Sequence, residues 1–185
     1  MSLDGKVALI TGGVKNLGAE IALSLAPLAS HLALHYNSPA SKQDAESLAT
    51  KLESSFPNVK FSFYQGDLTT EAAVNKLFES VLKDFGKIDI VVNTVGKVLK
   101  KPIVDITEAE YDTMFAVNAV APGPMDTPFF YPQESQDAVE YHKSQAIGGR
   151  LTNIKDIAPL VKFLCVEGGW ITGQTIFANG GYTTR

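Results

Sequence analysis

The residues from Thr11 to Gly18, Thr-Gly-Gly-Val-Lys-Asn-Leu-Gly, have the types and the spacing to bind an anion through backbone groups. They follow an apolar run, residues 6–10, that is typical of a buried strand, and they precede a helical pattern that begins near Glu20. A glycine-bearing turn between a first strand and a first helix lets backbone N–H groups and the helix N-terminus contact a pyrophosphate. Such a turn can also simply join two elements, but the strand and helix around it favour a dinucleotide site. The candidate contact residues are Gly12, Lys15, Asn16, Leu17 and Gly18.

The segment Tyr36-Asn37-Ser38, at the end of the second apolar strand, bears on which dinucleotide fits. In NAD-binding proteins of this kind an acidic residue at that place binds the ribose 2′-OH, but no acid occurs here before Asp44. Lys15 lies inside the glycine turn and Lys42 is nearby, and a cation with hydroxyl groups suits a 2′-phosphate. Lys15 alone could be a solvated charge. Together the residues predict NADP(H) in preference to NAD(H).

Strand and helix patterns alternate along the chain and must position these residues. Strands are predicted at 6–11, 32–36, 59–65, 88–93 and 175–178, and helices at 17–29, 41–54, 71–85, 107–118 and 154–166. Short strands alternating with helices predict an α/β fold, a Rossmann-like doubly wound parallel sheet with helices on both faces, in a single domain over residues 1–185. After residues 119–124, the stretch to about residue 150 is predicted to be irregular. Two strands and a helix are missing between the helix at 107–118 and the Pro-Gly loop, which leaves the strand at 175–178 without a parallel neighbour.

Composition excludes several classes of partner. A net charge of −4 gives no reason to expect nucleic acid or an anionic membrane surface. No apolar stretch approaches the ~20 residues of a membrane span, and the N-terminus has no secretory pattern. The single cysteine, Cys165, fits a reducing compartment and is expected to be a buried thiol, so we expect a cytoplasmic protein. The three histidines show no metal-ligand pattern, and a surface or packing role is expected for each.

The glycine turn, the strand ends and a Pro-Gly loop occur in an order that resembles the short-chain dehydrogenase/reductase (SDR) family. The turn departs from the family's Gly-x-x-x-Gly-x-Gly at Asn16, a residue type that tolerates positive φ. The resemblance implies an adenine pocket at Asp67-Leu68, a helix cap being the alternative for Asp67. It also implies a ribose and sheet-supporting motif from Asn93 to Gly96. The Pro122-Gly123 loop would cover the nicotinamide, with Thr127 holding the carboxamide, and the aromatic residues 129–131 would form either a lid or part of the core.

The family's acid/base pair is missing from this sequence. None of the six tyrosines is followed by a lysine four residues later. In the family a tyrosine whose pKa is lowered by that lysine transfers the proton, a serine holds the substrate oxygen, and an asparagine holds a water. Only the asparagine has a match, Asn118. It lies where two family tracts, Phe-x-Val-Asn and Val-Asn-Ala-Val-Ala-Pro-Gly, are superposed in residues 115–123.

Three hypotheses follow. The intact protein is an NADP(H)-dependent oxidoreductase acting on a small carbonyl or alcohol, and this sequence lacks its catalytic segment. Alternatively, the chain is a non-catalytic dinucleotide binder or an inactive deletion variant, or the glycine turn serves an S-adenosylmethionine-dependent methyltransferase. The resemblance also implies that an intact protein forms a homodimer or homotetramer, with the predicted helix 107–118 at the interface.

Overall fold

The computed structural model describes residues 3–28, 31–95, 119–171 and 174–182. The strands are β1 (Val7–Thr11), β2 (His31–Tyr36), β3 (Phe61–Gln65), β4 (Ile90–Asn93), β5 (Ala119–Pro122) and β6 (Thr175–Ala178). The helices are α1 (Asn16–Leu25), α2 (Lys42–Ser55), α3 (Glu71–Phe85), α4 (Gln136–Gln145) and α5 (Ile154–Val166). The bounds of α3, α5 and β6 are those that the sequence predicts. The predicted helix 107–118 lies outside the described residues.

Four strands form a parallel sheet in the order β3-β2-β1-β4. All five residues of β1 are buried, as expected for a central strand between two helical layers. One face of the sheet packs against α1, α2 and α5, and the other packs against α3. The predicted doubly wound α/β fold is therefore confirmed. Because the strands are parallel, their carboxyl ends lie at one edge of the sheet, where this fold binds ligands.

The side chain of Asp89 joins the start of β4 to the start of β1. Its Oδ2 atom accepts the Val7 N–H at 2.9 Å, and its Oδ1 atom accepts from Lys6 Nζ at 3.0 Å. Lys87 Nζ lies 3.2 Å from the same carboxylate. The Val7 N–H and the Lys6 ammonium lower the pKa of Asp89 to about 2. The carboxylate is thus charged at neutral pH and holds the two strands in register.

The second half of the chain corrects two predictions. β6 has a parallel neighbour, because Ala119 to Pro122 form β5 and pair with Thr175 to Ala178. Residues 125–150 are also not wholly irregular, since α4 begins after Ser135, whose side chain accepts the Ala138 N–H. The two-stranded sheet β5-β6 is separate from the four-stranded sheet in the part of the chain that the structure describes.

Helix α5 connects the second half to the first. It packs along α1, and its Ala158, which is 1% exposed, belongs to the core beneath the four-stranded sheet. A capping box starts the helix: Asn153 accepts from the first turn, and the Asp156 carboxylate accepts the Asn153 N–H at 2.8 Å. Arg150 forms two hydrogen bonds to the same carboxylate. This helix therefore fixes the position of the Pro-Gly half on the sheet.

Among the helices of the described residues, none combines the length and the apolar character needed to cross a membrane. No group of three or more histidine, cysteine or acidic side chains in those residues could hold a metal ion.

Candidate active site

The glycine turn between β1 and α1 is closely packed. Gly12 has a φ of 65° and Asn16 a φ of 49°, both in the left-handed region that side chains rarely adopt. A Cβ atom at Gly18 would lie 2.2 Å from the Gly12 carbonyl oxygen, and one at Gly13 would lie 2.7 Å from the Ile10 oxygen. Glycine is therefore required at Gly18 by close backbone approach, whereas Asn16 supplies the positive φ that the family pattern assigns to glycine.

The N-terminus of α1 leaves backbone donors outside the helical ladder. The first intrahelical bond runs from the Ala19 N–H to the Lys15 carbonyl, and no side chain caps the helix. The N–H groups of Asn16, Leu17 and Gly18 therefore precede that bond. By contrast α3, α4 and α5 all start with a side-chain cap. This cradle of glycine backbone and uncapped N–H groups fits a phosphate group.

The end of β4 is tied to the same turn. Thr11 Oγ1 donates to Asn93 Oδ1, which also accepts the Val95 N–H at 3.2 Å. Thr94 Oγ1 donates to the Thr11 carbonyl at 2.6 Å and lies 2.7 Å from the place of a Cβ on Gly12. Asn93 thus supports the sheet next to the glycine turn. Gly96, the last residue of this predicted motif, is outside the described residues.

Lys15 reaches the loop that follows β2. Its Nζ atom donates to Ser41 Oγ at 3.1 Å, and Ser41 is 5% exposed. Between the end of β2 and Ser41 the chain contains Asn37, which is exposed, and Ser38, which is partly exposed. The cation of the glycine turn therefore contacts Ser41, three residues after the segment Tyr36-Asn37-Ser38 that the sequence analysis assigns to the 2′-phosphate.

Asp67 does not cap α3, so that alternative is wrong. Its Oδ1 atom accepts the Thr69 N–H at 3.1 Å, and the cap is Thr70, whose Oγ1 accepts the Ala73 N–H. Leu68 packs against the core on the α3 side of the sheet. The Asp67 carboxylate is exposed at the carboxyl end of β3, where it is available to a ligand.

His35 lies against the glycine turn, a contact that the sequence analysis does not predict. It is 1% exposed, its Nδ1 atom accepts the Gly12 N–H at 3.4 Å, and its Nε2 atom lies 2.8 Å from the Gly66 carbonyl. Burial agrees with the packing role expected for this histidine, and the two hydrogen bonds add a contact with the glycine turn that was not expected. The pattern held one clue, a polar residue at the end of the buried strand β2, but its partners are 23 and 31 residues away in sequence.

The Pro-Gly loop after β5 is packed against the second half of the chain. A Cβ on Gly123 would lie 2.9 Å from Thr152 Oγ1 and 3.1 Å from the Asn179 carbonyl oxygen. Thr127 is buried, and its N–H donates to the Met125 carbonyl. Pro122 is the last residue of β5. The hydrogen bonds that define this loop run within the second half of the chain, from Asp126 to Thr152 and from Thr152 to Pro124.

The aromatic segment after Thr127 is largely at the surface. Phe129 is 55% and Tyr131 44% exposed, so the core alternative is wrong for these two residues. Phe130 is partly buried, and its ring lies 5.7 Å from that of His142. Tyr131 donates its hydroxyl to Asp126 Oδ1 at 2.6 Å, which fastens the aromatic segment to the Pro-Gly loop.

Two of the described tyrosines have pKa values that are shifted away from those of an acid/base catalyst. The hydrogen bond to Asp126 raises the pKa of Tyr131, and burial followed by the contact with Asp84 raises that of Tyr64. A tyrosine that exchanges its proton near neutral pH needs a shift in the opposite direction. Burial also raises the pKa of the Cys165 thiol, which favours a structural role for it. Asn118, the catalytic candidate, lies outside the described residues.

Two family profiles match the sequence. The profile described as short chain dehydrogenase matches residues 6–125. The chain belongs to the short-chain dehydrogenase family. A second profile, described as Enoyl-(Acyl carrier protein) reductase, matches residues 115–183. The two matches overlap at 115–125, where the two family tracts are superposed, and membership of this family removes the methyltransferase alternative.

Individual relatives agree with this assignment. The crystal structure of a putative dehydrogenase from Burkholderia cenocepacia with bound NADP is 40% identical, with a TM-score of 0.85, and the match covers 100% of this chain and 96% of that one. A short-chain type dehydrogenase/reductase from Picea abies is 26% identical over 251 residues, covering 97% of this chain and 93% of the relative. The NADPH-dependent aldehyde reductase 2, chloroplastic, of Arabidopsis thaliana is 51% identical over 70 residues, 37% of this chain and 26% of that protein. The Picea alignment is longer than this chain of 185 residues, so the relative contains residues that have no counterpart here.

Proposed function

We propose that the protein is an NADP(H)-dependent oxidoreductase that acts on a small carbonyl or alcohol, and that this 185-residue chain carries its cofactor site without its acid/base pair. One observation carries the proposal: α1 has no side-chain cap at its N-terminus and continues from a glycine turn in which Gly18 packs on the Gly12 carbonyl. That cradle lies at the carboxyl end of the central strand, where this fold binds pyrophosphate.

Each part of the site has a residue-level task. The N–H groups of Asn16, Leu17 and Gly18 would bind the pyrophosphate, and Asp67 and Asn93 would border the adenosine. Pro122, Gly123 and Thr127 would hold the nicotinamide end, with Gly96 and Leu68 beside the adenosine. When bound, the nicotinamide supplies or accepts the hydride. Asn118 would hold the water of a proton relay, while the residues that exchange the proton with substrate are not in this sequence.

The preference for NADP(H) is supported by charge. Lys15 donates to Ser41, and the segment Tyr36-Asn37-Ser38 presents no carboxylate to repel a 2′-phosphate. A relative binds NADP in its crystal structure, and another is named for its dependence on NADPH. A charge-assisted hydrogen bond contributes about 1.5–3 kcal/mol, so Lys15 is expected to contribute tenfold or more to NADPH affinity.

The test is a titration of NADPH and NADH, followed by fluorescence, on material whose mass is verified. We expect NADPH to bind more tightly, Lys15→Ala to weaken NADPH at least tenfold, and NADH affinity to change little. Lys51→Ala is the matched control, because Lys51 is an exposed lysine further along α2 to which the proposed site assigns no role. Equal or tighter binding of NADH would contradict the preference, and absence of binding would contradict the proposed site.

Turnover separates binding from catalysis. General acid/base catalysis typically supplies about 10²–10⁴-fold, so the chain without a Tyr-x-x-x-Lys pair is expected to oxidise NADPH no faster than background with carbonyl substrates. Steady turnover by a verified 185-residue chain would show that other residues have replaced the pair.

We also propose that the intact protein is a cytoplasmic homodimer or homotetramer with no nucleic-acid or membrane partner. The charge of −4 and the single cysteine support the location and the partners. Light scattering tests the assembly: the 185-residue chain is expected to be monomeric or to aggregate, since an isologous interface needs a complete patch on both subunits. A stable tetramer of this chain would contradict that expectation.

A further inference from the structure

His35 contacts the glycine turn through both its ring and its backbone. The ring Nδ1 accepts the Gly12 N–H, and the His35 carbonyl accepts the Gly13 N–H at 2.8 Å. Two successive amides of the turn are therefore oriented by one residue of the neighbouring strand. The carbonyl of Gly12 in turn packs against Gly18, so the peptide that follows β1 is held on both sides.

These contacts define the charge state of the ring. Nδ1 can accept the Gly12 N–H only when it carries no proton, while Nε2 has a carbonyl partner, Gly66, to which it donates. The ring is therefore the neutral Nε2–H tautomer. A second proton would place an Nδ1–H donor opposite the Gly12 N–H donor, and the two groups would repel each other.

We propose that His35 is a positioning residue for dinucleotide binding: its neutral ring holds Gly12 in the binding conformation of the turn, so that affinity depends on the protonation of His35. The inference rests on the proposed function of the glycine turn. His35 acts through Gly12 and needs no contact with the cofactor.

The surroundings of the ring oppose a second proton. Burial lowers the pKa of His35 from its usual value near 6.5, and the hydrogen bond to Gly66 opposes that shift. The ring borders a cavity of about 370 Å³ between β3 and α3, which Tyr64 and Lys76 also line. Burial and Asp84 raise the pKa of Tyr64, so this phenol stays neutral and brings no charge near the ring, and Lys76 is exposed. Asp67 follows Gly66 at the edge of the sheet.

The sign of the pH effect follows. Because the folded pKa lies below the unfolded one, neutral His35 stabilises the fold above pH ~6.5, and that contribution is lost as the pH falls through the folded pKa. Dinucleotide binding selects the same neutral form. Affinity is therefore expected to be constant above pH ~6.5 and to fall only as the pH passes below the lowered pKa of His35 in the folded protein, approaching tenfold per pH unit once His35 is protonated.

Two substitutions separate the two hydrogen bonds of the ring. In His35→Asn the Oδ1 atom takes the place of Nδ1 and can still accept the Gly12 N–H, but the variant cannot take up a proton. In His35→Gln the amide reaches toward Gly66 and the acceptor for Gly12 is lost. Circular dichroism and thermal unfolding establish that each variant is folded before binding is measured.

The experiment measures NADP⁺ affinity by calorimetry between pH 5 and 8 for the wild type and both variants. The 2′-phosphate itself takes up a proton near pH 6, so the wild-type profile is judged against His35→Asn, in which position 35 no longer titrates while the ligand and the other groups still do. We expect the wild type to lose affinity more steeply than His35→Asn towards the acid end of this range, by up to about tenfold per pH unit below the lowered pKa of His35, and His35→Gln to bind more weakly than His35→Asn at pH 7.5. Parallel pH profiles for wild type and His35→Asn would overturn the inference.

A second readout needs no ligand and no variant. In ¹⁵N-edited spectra of the free protein, the chemical shift of the Gly12 amide is expected to titrate with the same apparent pKa as the His35 ring. A Gly12 chemical shift that does not change as His35 titrates would overturn the coupling. If the free protein shows that coupling while NADP⁺ fails to bind at any pH, the proposed function is wrong. If NADP⁺ binds but the coupling is absent, only this inference fails.

Discussion

The two parallel sheets of this protein differ in how completely they are covered. In the four-stranded sheet all of β1 and the middle four residues of β2 are buried, with helices on both faces. In the two-stranded sheet no residue of β5 or β6 is buried, and Phe177 is 49% exposed. The first sheet has its own core, whereas the second depends on α5, which packs on α1.

The difference separates two parts of the proposed chemistry. The residues assigned to pyrophosphate, 2′-phosphate and adenosine lie on the well-covered sheet, and those assigned to the nicotinamide follow β5. Family relatives have additional residues that this chain lacks. We therefore expect this chain to retain dinucleotide binding at the glycine turn. The position of the nicotinamide ring is expected to be less well fixed.

The largest effect is expected from core substitutions that compare the two sheets. Leu9 in β1 is fully buried, so Leu9→Ala is expected to lower the free energy of unfolding by about 2–5 kcal/mol. Phe177→Ala in β6 is expected to lower it by less than about 1 kcal/mol, because half of that ring is already in water. Urea unfolding measures both. Equal losses would show that the two sheets form one cooperative core.

Glycine substitutions test whether the turn is specific for binding. In Gly18→Ala the new Cβ would lie 2.2 Å from the Gly12 oxygen, so the turn must move, and NADPH affinity is expected to fall more than tenfold. Gly86→Ala is the control: Gly86 ends α3 with a φ of 77° and has open space around it. Its substitution is expected to lower stability by about 1 kcal/mol with unchanged affinity. An intact affinity in Gly18→Ala would exclude the turn as the pyrophosphate site.

The smallest effects on stability are expected when the N-cap side chains of helices α4 and α5 are removed, and the two helices should respond differently. Asn153→Ala removes the cap of α5, the helix that connects the two halves, and is expected to lower global stability by about 1 kcal/mol. Ser135→Ala removes the cap of α4, in which only Val139 is buried. It is expected to speed local amide exchange in α4 with a smaller change in global stability. Hydrogen exchange measured beside thermal unfolding tells the two apart.

Sequence patterns predict most of the well-covered half. The alternation of apolar strands and helices is strong where both faces of a sheet are buried, and α3 was predicted with its observed bounds. α4 was missed because its ten residues are mostly polar and bury one side chain, so no apolar stripe marks it. Its cap, Ser135, was the available clue.

The candidate site shows a different limit. The glycine turn is visible in sequence because its backbone geometry restricts residue type locally at Gly12 and Gly18. The role of His35 is not visible, because it arises when parallel pairing brings β2 beside the turn and Gly66 to the far side of the ring. Contacts among three distant segments depend on register, which spacing alone does not encode. The strand β5 is not among the predicted strands, because its tract is superposed on the end of the predicted helix 107–118.

The carboxylate of Asp89 also has a consequence for the order in which the chain folds. β1 pairs with β2 across 24 positions, Val7 with His31, whereas Asp89 meets the Val7 N–H across 82 positions. Closing the longer loop in an unfolded chain costs about 1 kcal/mol more in conformational entropy. We therefore expect β1, β2 and β3 to assemble first and β4 to join late. Asp89 then acts as a closing contact, and its loss should slow refolding less than it speeds unfolding.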